Sequence, residues 1–108
     1  MKMLFVCNQN KHRSKTAEEI FKNTLDVKSA GLYNNTPINK EQLQWCDIIV
    51  VMEEEQRIEI SKRFPKEYLQ KRILCFNVSD NYHYMQPELI EELRTKFFRL
   101  TEDFSLNL

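Results

Sequence analysis

A chain of 108 residues with 42% hydrophobic content has room for one compact core, so a single domain is expected, with no second catalytic unit. Sixteen basic residues balance sixteen acidic ones, which gives no general attraction for nucleic acid or an anionic membrane, and neither is expected as a partner. The apolar run Met3-Leu4-Phe5-Val6 is too short for a secretory signal or a membrane span, and three irregularly spaced cysteines without a Cys-x-x-Cys pair suggest neither a disulfide framework nor structural zinc; a cytoplasmic protein is expected.

One glycine, three prolines and no repeat leave periodicity to set the element boundaries. Residues 2–6 read as a buried strand. Residues 14–23 read as a helix with Ala17, Ile20 and Phe21 on one face, and Thr16 with Glu19 has the spacing of a capping box near its start. A short strand over 27–30 closes at Gly31, where a residue without a Cβ suits a turn. Thr36-Pro37 or Asn39 opens a helix running to about Trp45, a residue expected in the core between that helix and the sheet. Residues 47–52, Asp-Ile-Ile-Val-Val-Met, form the clearest strand, a continuous β-branched run of the kind buried on both faces of a parallel sheet. A helix over 53–64 ends at Pro65, a strand follows over 72–78, and from Pro87 the spacing of Leu89, Ile90, Leu93 and Phe97 gives a closing amphipathic helix. Strands alternating with helices predict an α/β fold: one three-layer domain, a four-stranded parallel sheet flanked by helices.

In an open sheet of this kind ligands sit at the carboxyl ends of the strands. The first strand runs straight into Cys7-Asn8-Gln9-Asn10-Lys11-His12-Arg13-Ser14, and a helix follows. The Cys-x5-Arg spacing lets Asn8, Gln9, Asn10, Lys11 and His12 curl so that their N–H groups face a tetrahedral anion, to which the helix N-terminus adds its partial positive charge. Arg13 can then grip two oxygens bidentately above Cys7. The same field favours the thiolate, which is the nucleophilic form, and Ser14 is placed to donate a hydrogen bond to the sulfur. The bare spacing is weak evidence; its position between strand and helix is the stronger part.

Val6-Cys7-x-x-Asn10-x-x-Arg13-Ser14, followed by Thr16-Ala17-Glu18, resembles the signature loop and first helix of the low-molecular-weight protein tyrosine phosphatases, especially a compact bacterial branch. Ser29-Ala30-Gly31, Pro37 and residues 47–52 are similar to later parts of that family. The resemblance implies a two-step phosphomonoester hydrolysis through phosphocysteine that needs no metal or other cofactor. Cys7 is the implied nucleophile, Arg13 the oxyanion clamp, and an aspartic acid from a late loop the proton donor. Ser79-Asp80-Asn81-Tyr82 best matches that loop, which assigns the acid to Asp80; Asp47 and Asp103 fit less well. A carboxyl group beside a bound phosphate dianion is favoured in its protonated form by like-charge repulsion, as the role requires. The chain departs from the family pattern in carrying Gln9 for a glycine, His12 for a second loop cysteine and Asn81 for a proline.

Tyr33, Tyr82 and Tyr84 are candidates to line the mouth and stack on a phenyl ring, or else are half-buried packing residues. His12 is either a second phosphate donor or a solvent-facing loop residue, and Lys11 supplies electrostatic attraction. Cys46 and Cys75 are expected to be buried, and the charged stretch from Arg57 to Arg72 reads as a solvated face. The leading expectation is hydrolysis of protein phosphotyrosine or a small aryl phosphate. The alternatives are a non-catalytic phosphate- or phosphoprotein-binding module, an arsenate reductase relaying a disulfide, and a phosphocysteine carrier. Oligomeric state is not readable from the sequence.

Overall fold

Strand β1, Lys2–Cys7, is buried from Met3 onward. The structure, a computed structural model, describes residues 1–103, the last three as backbone only. In chain order the other elements are α1 (Arg13–Phe21), β2 (Asp26–Gly31), α2 (Lys40–Trp45), β3 (Ile48–Val51), α3 (Glu54–Arg63), α4 (Pro65–Gln70), β4 (Arg72–Cys75) and α5 (Pro87–Asp103). The four strands form one sheet in the order β2-β1-β3-β4, with every neighbouring pair parallel. Parallel neighbours require crossovers, and these helices supply them on both faces.

Alternation along β1 and β3 divides the core in two. Met3, Phe5, Cys7, Ile48, Val50 and Met52 pack with Ala17 and Phe21 of α1 and Leu89 and Leu93 of α5. Leu4, Val6, Ile49 and Val51 pack on the other face with Leu43 of α2 and Ile60 of α3, and Phe64 and Tyr68 lie against that cluster. This is the expected three-layer α/β arrangement, with β1 central and its carboxyl end opening into residues 8–12.

Several boundaries differ from expectation, each for a local reason. Thr16 does not cap α1. The helix already begins at Arg13, and the buried Thr16 hydroxyl oxygen instead accepts from the Met85 N–H at 2.9 Å. Asn39 settles the start of α2: its side-chain oxygen accepts from the Gln42 N–H, and the Gln42 side chain accepts from the Asn39 N–H, each at 2.9 Å. Pro65 does end α3, but it also takes the first position of α4, a helix the periodicity did not reveal, because a proline needs no amide hydrogen bond there. Strand β4 stops at Cys75 rather than at residue 78. The Phe76 and Val78 N–H groups still bond to the Val51 and Met52 carbonyls, but Asn77 between them adopts φ 54°, which breaks the pleat.

Two side chains also sit differently. Trp45 is half-buried, its ring covered by the Lys28 ammonium 4.4 Å from the centroid and by Lys2 at 5.7 Å, so it closes the sheet edge and is not enclosed in the core. Cys46 is buried, and burial pushes its thiol up to about 11, whereas Cys75 is only half-buried because β4 is the edge strand. The charged stretch is a solvated face only in part: Arg57 pairs with Glu54 and Arg63 with Glu59 along α3, but Arg57, Arg63 and Lys71 also donate to the Ile73, Leu32 and Cys46 carbonyls, and Glu67 is buried.

Gly31 is required for a different reason from a turn. No glycine has positive φ, but a Cβ on Gly31 would lie 2.8 Å from the Asn34 amide nitrogen and 3.0 Å from the Gln9 carbonyl carbon. The absent side chain lets the end of β2 approach the loop that leaves β1. Gly31→Ala is therefore expected to cost about 1–3 kcal/mol of stability by overpacking. Adding Asn34→Ala should recover only part of this, since the Gln9 contact is backbone; chemical denaturation of the single and double variants measures both. An unchanged unfolding midpoint for Gly31→Ala would mean that the loop yields freely.

Candidate active site

Residues 8–12 leave the end of β1 and curl before α1 begins, so Cys7 and Arg13 return to the same place from two rigid elements. Cys7 is 3% exposed. The Asn10 N–H points back at its Sγ at 3.2 Å, and the Ser14 Oγ lies 2.9 Å from the same sulfur. Asn10 takes φ 55°, a left-handed conformation that asparagine tolerates better than most residues, and this turns its amide inward. Its side-chain oxygen accepts from the Ser14 hydroxyl at 2.7 Å. A hydroxyl has one hydrogen. With a neutral thiol the chain of donors can run from Cys7 to Ser14 to Asn10; with a thiolate the Ser14 hydrogen turns to the sulfur.

The outer side of the loop is anchored to the segment after β2. The Leu32 and Tyr33 N–H groups donate to the Cys7 and Asn8 carbonyls at 3.1 and 2.8 Å. Arg13 is 1% exposed, a burial that demands partners for its charge. One terminal nitrogen, Nη1, pairs with the Glu53 carboxylate and donates to the Val78 carbonyl at 2.8 Å. Its Nε, 3.5 Å from the Asp80 carboxylate, is buried and makes no hydrogen bond.

A cavity of about 190 Å³ is lined by Cys7, Asn8, Gln9, Lys11, His12, Arg13 and Asp80. The structure thus brings together the three residues expected to carry chemistry and most of the loop, with Asn10 and Ser14 supporting the sulfur from below. His12 is half-buried and edge-on to His83, with ring centroids 6.0 Å apart, so the loop touches the segment that carries Asp80. Asp47 lies at the amino end of the sheet, where its side chain accepts from the Lys2 N–H at 2.8 Å. The Asp103 side chain falls outside the described residues.

The three tyrosines do not line this cavity. Tyr82 packs against the α1/α5 face of the core, and the Glu92 carboxylate near its phenol raises its pKa. Tyr33 is exposed beside the Arg63 guanidinium, 4.9 Å from its ring centroid, and Tyr84 is exposed. Further along the same segment, the Met85 N–H, with Met85 at φ 58°, bonds Thr16 and ties the chain to α1.

Sequence reasoning missed Glu53 and Gln56. The Gln56 side chain is buried; its oxygen accepts from the Met52 and Glu53 N–H groups at 2.7 and 3.0 Å, and its nitrogen donates to the Asn8 side chain at 3.1 Å. A usable signal existed: Glu53 and Gln56 have capping-box spacing directly after the carboxyl end of the clearest strand, on the edge of the sheet where ligands bind. The other two cysteines are placed away from Cys7. Cys46 precedes β3 at the opposite end of the sheet, and Cys75 lies across two strand spacings, roughly 9.5 Å, beyond the reach of a disulfide without backbone movement.

Among the described residues no helix is long and apolar enough to cross a membrane. No family model and no curated protein matches the chain. Solved structures do. The chain is similar to a low-molecular-weight protein tyrosine phosphatase from T. tengcongensis at 20% identity and TM-score 0.80, covering 95% of this chain and 99% of that one. It is similar to the tyrosine phosphatase Wzb from Escherichia coli, in complex with phosphate, at 17% identity and TM-score 0.78, over 94% and 96% of the two chains. The YwlE arginine phosphatase from Geobacillus stearothermophilus matches at 22% identity and TM-score 0.74, over 96% and 92%. Near-complete coverage in both directions, the parallel four-stranded sheet and the strand–loop–helix around Cys7 together give this chain the fold of the low-molecular-weight protein tyrosine phosphatases.

Proposed function

We propose that the chain is a cysteine-dependent phosphomonoester hydrolase working through a phosphocysteine intermediate. The observation that carries this reading is the sulfur of Cys7 at the floor of the curled loop, with the Asn10 N–H and the Ser14 hydroxyl upon it and Arg13 and Asp80 around the same cavity.

The Cys7 thiolate attacks phosphorus; the S–P bond forms, the ester P–O bond breaks, and Asp80 gives its proton to the departing oxygen. The Arg13 guanidinium and the loop N–H groups hold the charge that gathers on the three non-bridging oxygens. Water then attacks phosphorus as Asp80 takes its proton, the S–P bond breaks, and the thiolate is restored with Ser14 donating to it. The arsenate reductase alternative loses support from the separation of Cys46 and Cys75 from Cys7.

Protein phosphotyrosine or a small aryl phosphate is the first substrate class, supported by the likeness to tyrosine phosphatases. Phosphoarginine, in which a P–N bond breaks in place of the ester P–O bond and Asp80 protonates the departing nitrogen, is the second reading. It is favoured by the absence of a tyrosine from the cavity lining and by an acidic cavity of about 330 Å³ beside it, lined by Glu53, Glu54, Glu55, Asn77, Val78 and Ser79, and it matches the activity named for the YwlE neighbour. The test is release of phosphate, with EDTA present, from p-nitrophenyl phosphate, a phosphotyrosyl peptide and a phosphoarginyl peptide. Faster turnover of the phosphotyrosyl peptide is the expected result, and the reverse order selects the second reading. Phosphate that binds without Cys7-dependent turnover of any of the three would replace the hydrolase by a binding module; a phosphocysteine that accumulates without hydrolysis would identify a carrier.

A further inference from the structure

The turn between β3 and α3 contacts the phosphate loop at both of its ends. Gln56, 2% exposed, uses its carbonyl oxygen on the two N–H groups of the turn itself and its amide nitrogen on Asn8, just after the nucleophile. That clamp fixes the backbone of Glu53, whose carboxylate pairs with Arg13 at the far end of the loop.

The geometry of Arg13 gives the pair its meaning. A guanidinium is planar and rigid, so holding Nη1 between the Glu53 carboxylate and the Val78 carbonyl sets the orientation of the whole group. The Nε edge is left buried, without a hydrogen bond, on the side of Asp80 and the cavity. Judged by charge alone, a carboxylate here opposes an incoming anion. What it can offer the anion is the fixed orientation of the group it holds.

We propose that Glu53, held in place by Gln56, is a positioning residue that aims Arg13 at the phosphoryl oxygens. This rests on the phosphate-loop reading above. The effect of Glu53 on anion binding then has a sign opposite to that of its charge.

The experiment is calorimetric titration with inorganic phosphate of the wild type, Glu53→Ala, Glu53→Asp, Glu53→Gln and Gln56→Leu, each checked for cooperative unfolding. Glu53→Ala is expected to weaken phosphate about tenfold although it removes a negative charge near the anion. Glu53→Asp, which keeps the charge but shortens the reach, should weaken it similarly, and it supplies the test if the alanine variant does not fold. Glu53→Gln keeps an oxygen for Nη1 and should bind at least as tightly as the wild type, whereas Gln56→Leu should bind less tightly. Undiminished phosphate affinity in Glu53→Ala or Glu53→Asp would overturn the positioning role and leave the phosphate loop intact. A wild type that neither binds phosphate nor shows Cys7-dependent turnover of p-nitrophenyl phosphate would overturn that reading, and the positioning role with it.

Discussion

Cys7→Ser is expected to lower turnover of p-nitrophenyl phosphate by about 10⁴-fold or more while leaving the fold and phosphate binding in place. The reason lies in what surrounds the sulfur. A serine hydroxyl needs a general base to become a nucleophile, and the groups nearest to Cys7 are the Asn10 N–H and the Ser14 hydroxyl, neither of which is one. The substitution nearly conserves volume at a buried site on β1, so the loop should keep its curl and its N–H groups. Steady-state assays paired with circular dichroism and phosphate titration check the three parts separately. Retention of more than about 1% of wild-type turnover would remove Cys7 from the role of nucleophile. Arg13→Lys is the companion variant: it keeps a positive charge but loses the planar fork, and a loss of about 10²–10³-fold is expected. Arg13→Ala is less informative, because it leaves the Glu53 carboxylate and the Val78 carbonyl without their buried partner.

Asp80→Asn is expected to separate substrates by leaving group. Phenyl phosphate, whose phenol leaves poorly as an anion, should lose about 10²-fold, and p-nitrophenyl phosphate, whose phenolate leaves readily, less than tenfold. The side chain of Asp80 is 62% exposed, at the rim of the cavity and within 3.5 Å of the Arg13 Nε, where it can reach an oxygen leaving from phosphorus. An amide there keeps the size of the side chain and removes the transferable proton. Equal losses on the two esters would assign Asp80 to binding and require another acid. Because Arg13 loses an anionic neighbour, inorganic phosphate should bind the Asp80→Asn variant no more weakly than the wild type.

The legible parts of the fold are those encoded by contiguous residues. The apolar runs of β1 and β3, the helical spacing before Phe21 and after Pro87, and the strand–loop–helix order around Cys7 each lie within a short window, where local sterics and burial speak together. One boundary moved because a distant group intervened, Thr16 being drawn to Met85 across 69 residues, and another for a local reason, the left-handed Asn77 that ends β4. Helix α4 escaped notice because proline marks a stop and a start with equal force, and a six-residue helix has too few turns for its period to show.

For the site, the sequence by itself pointed to Cys7 and Arg13 as the two ends of a curled loop, because a loop between a strand and a helix is a local object. Only the tertiary structure decided what holds Arg13, where Asp80 stands and that Tyr82 turns toward Glu92. Glu53 and Val78 meet Arg13 from 40 and 65 residues away, through a sheet that sets β3 beside β1. No local pattern specifies that adjacency, since the order of strands in a sheet depends on how the apolar faces of all the helices are covered at once.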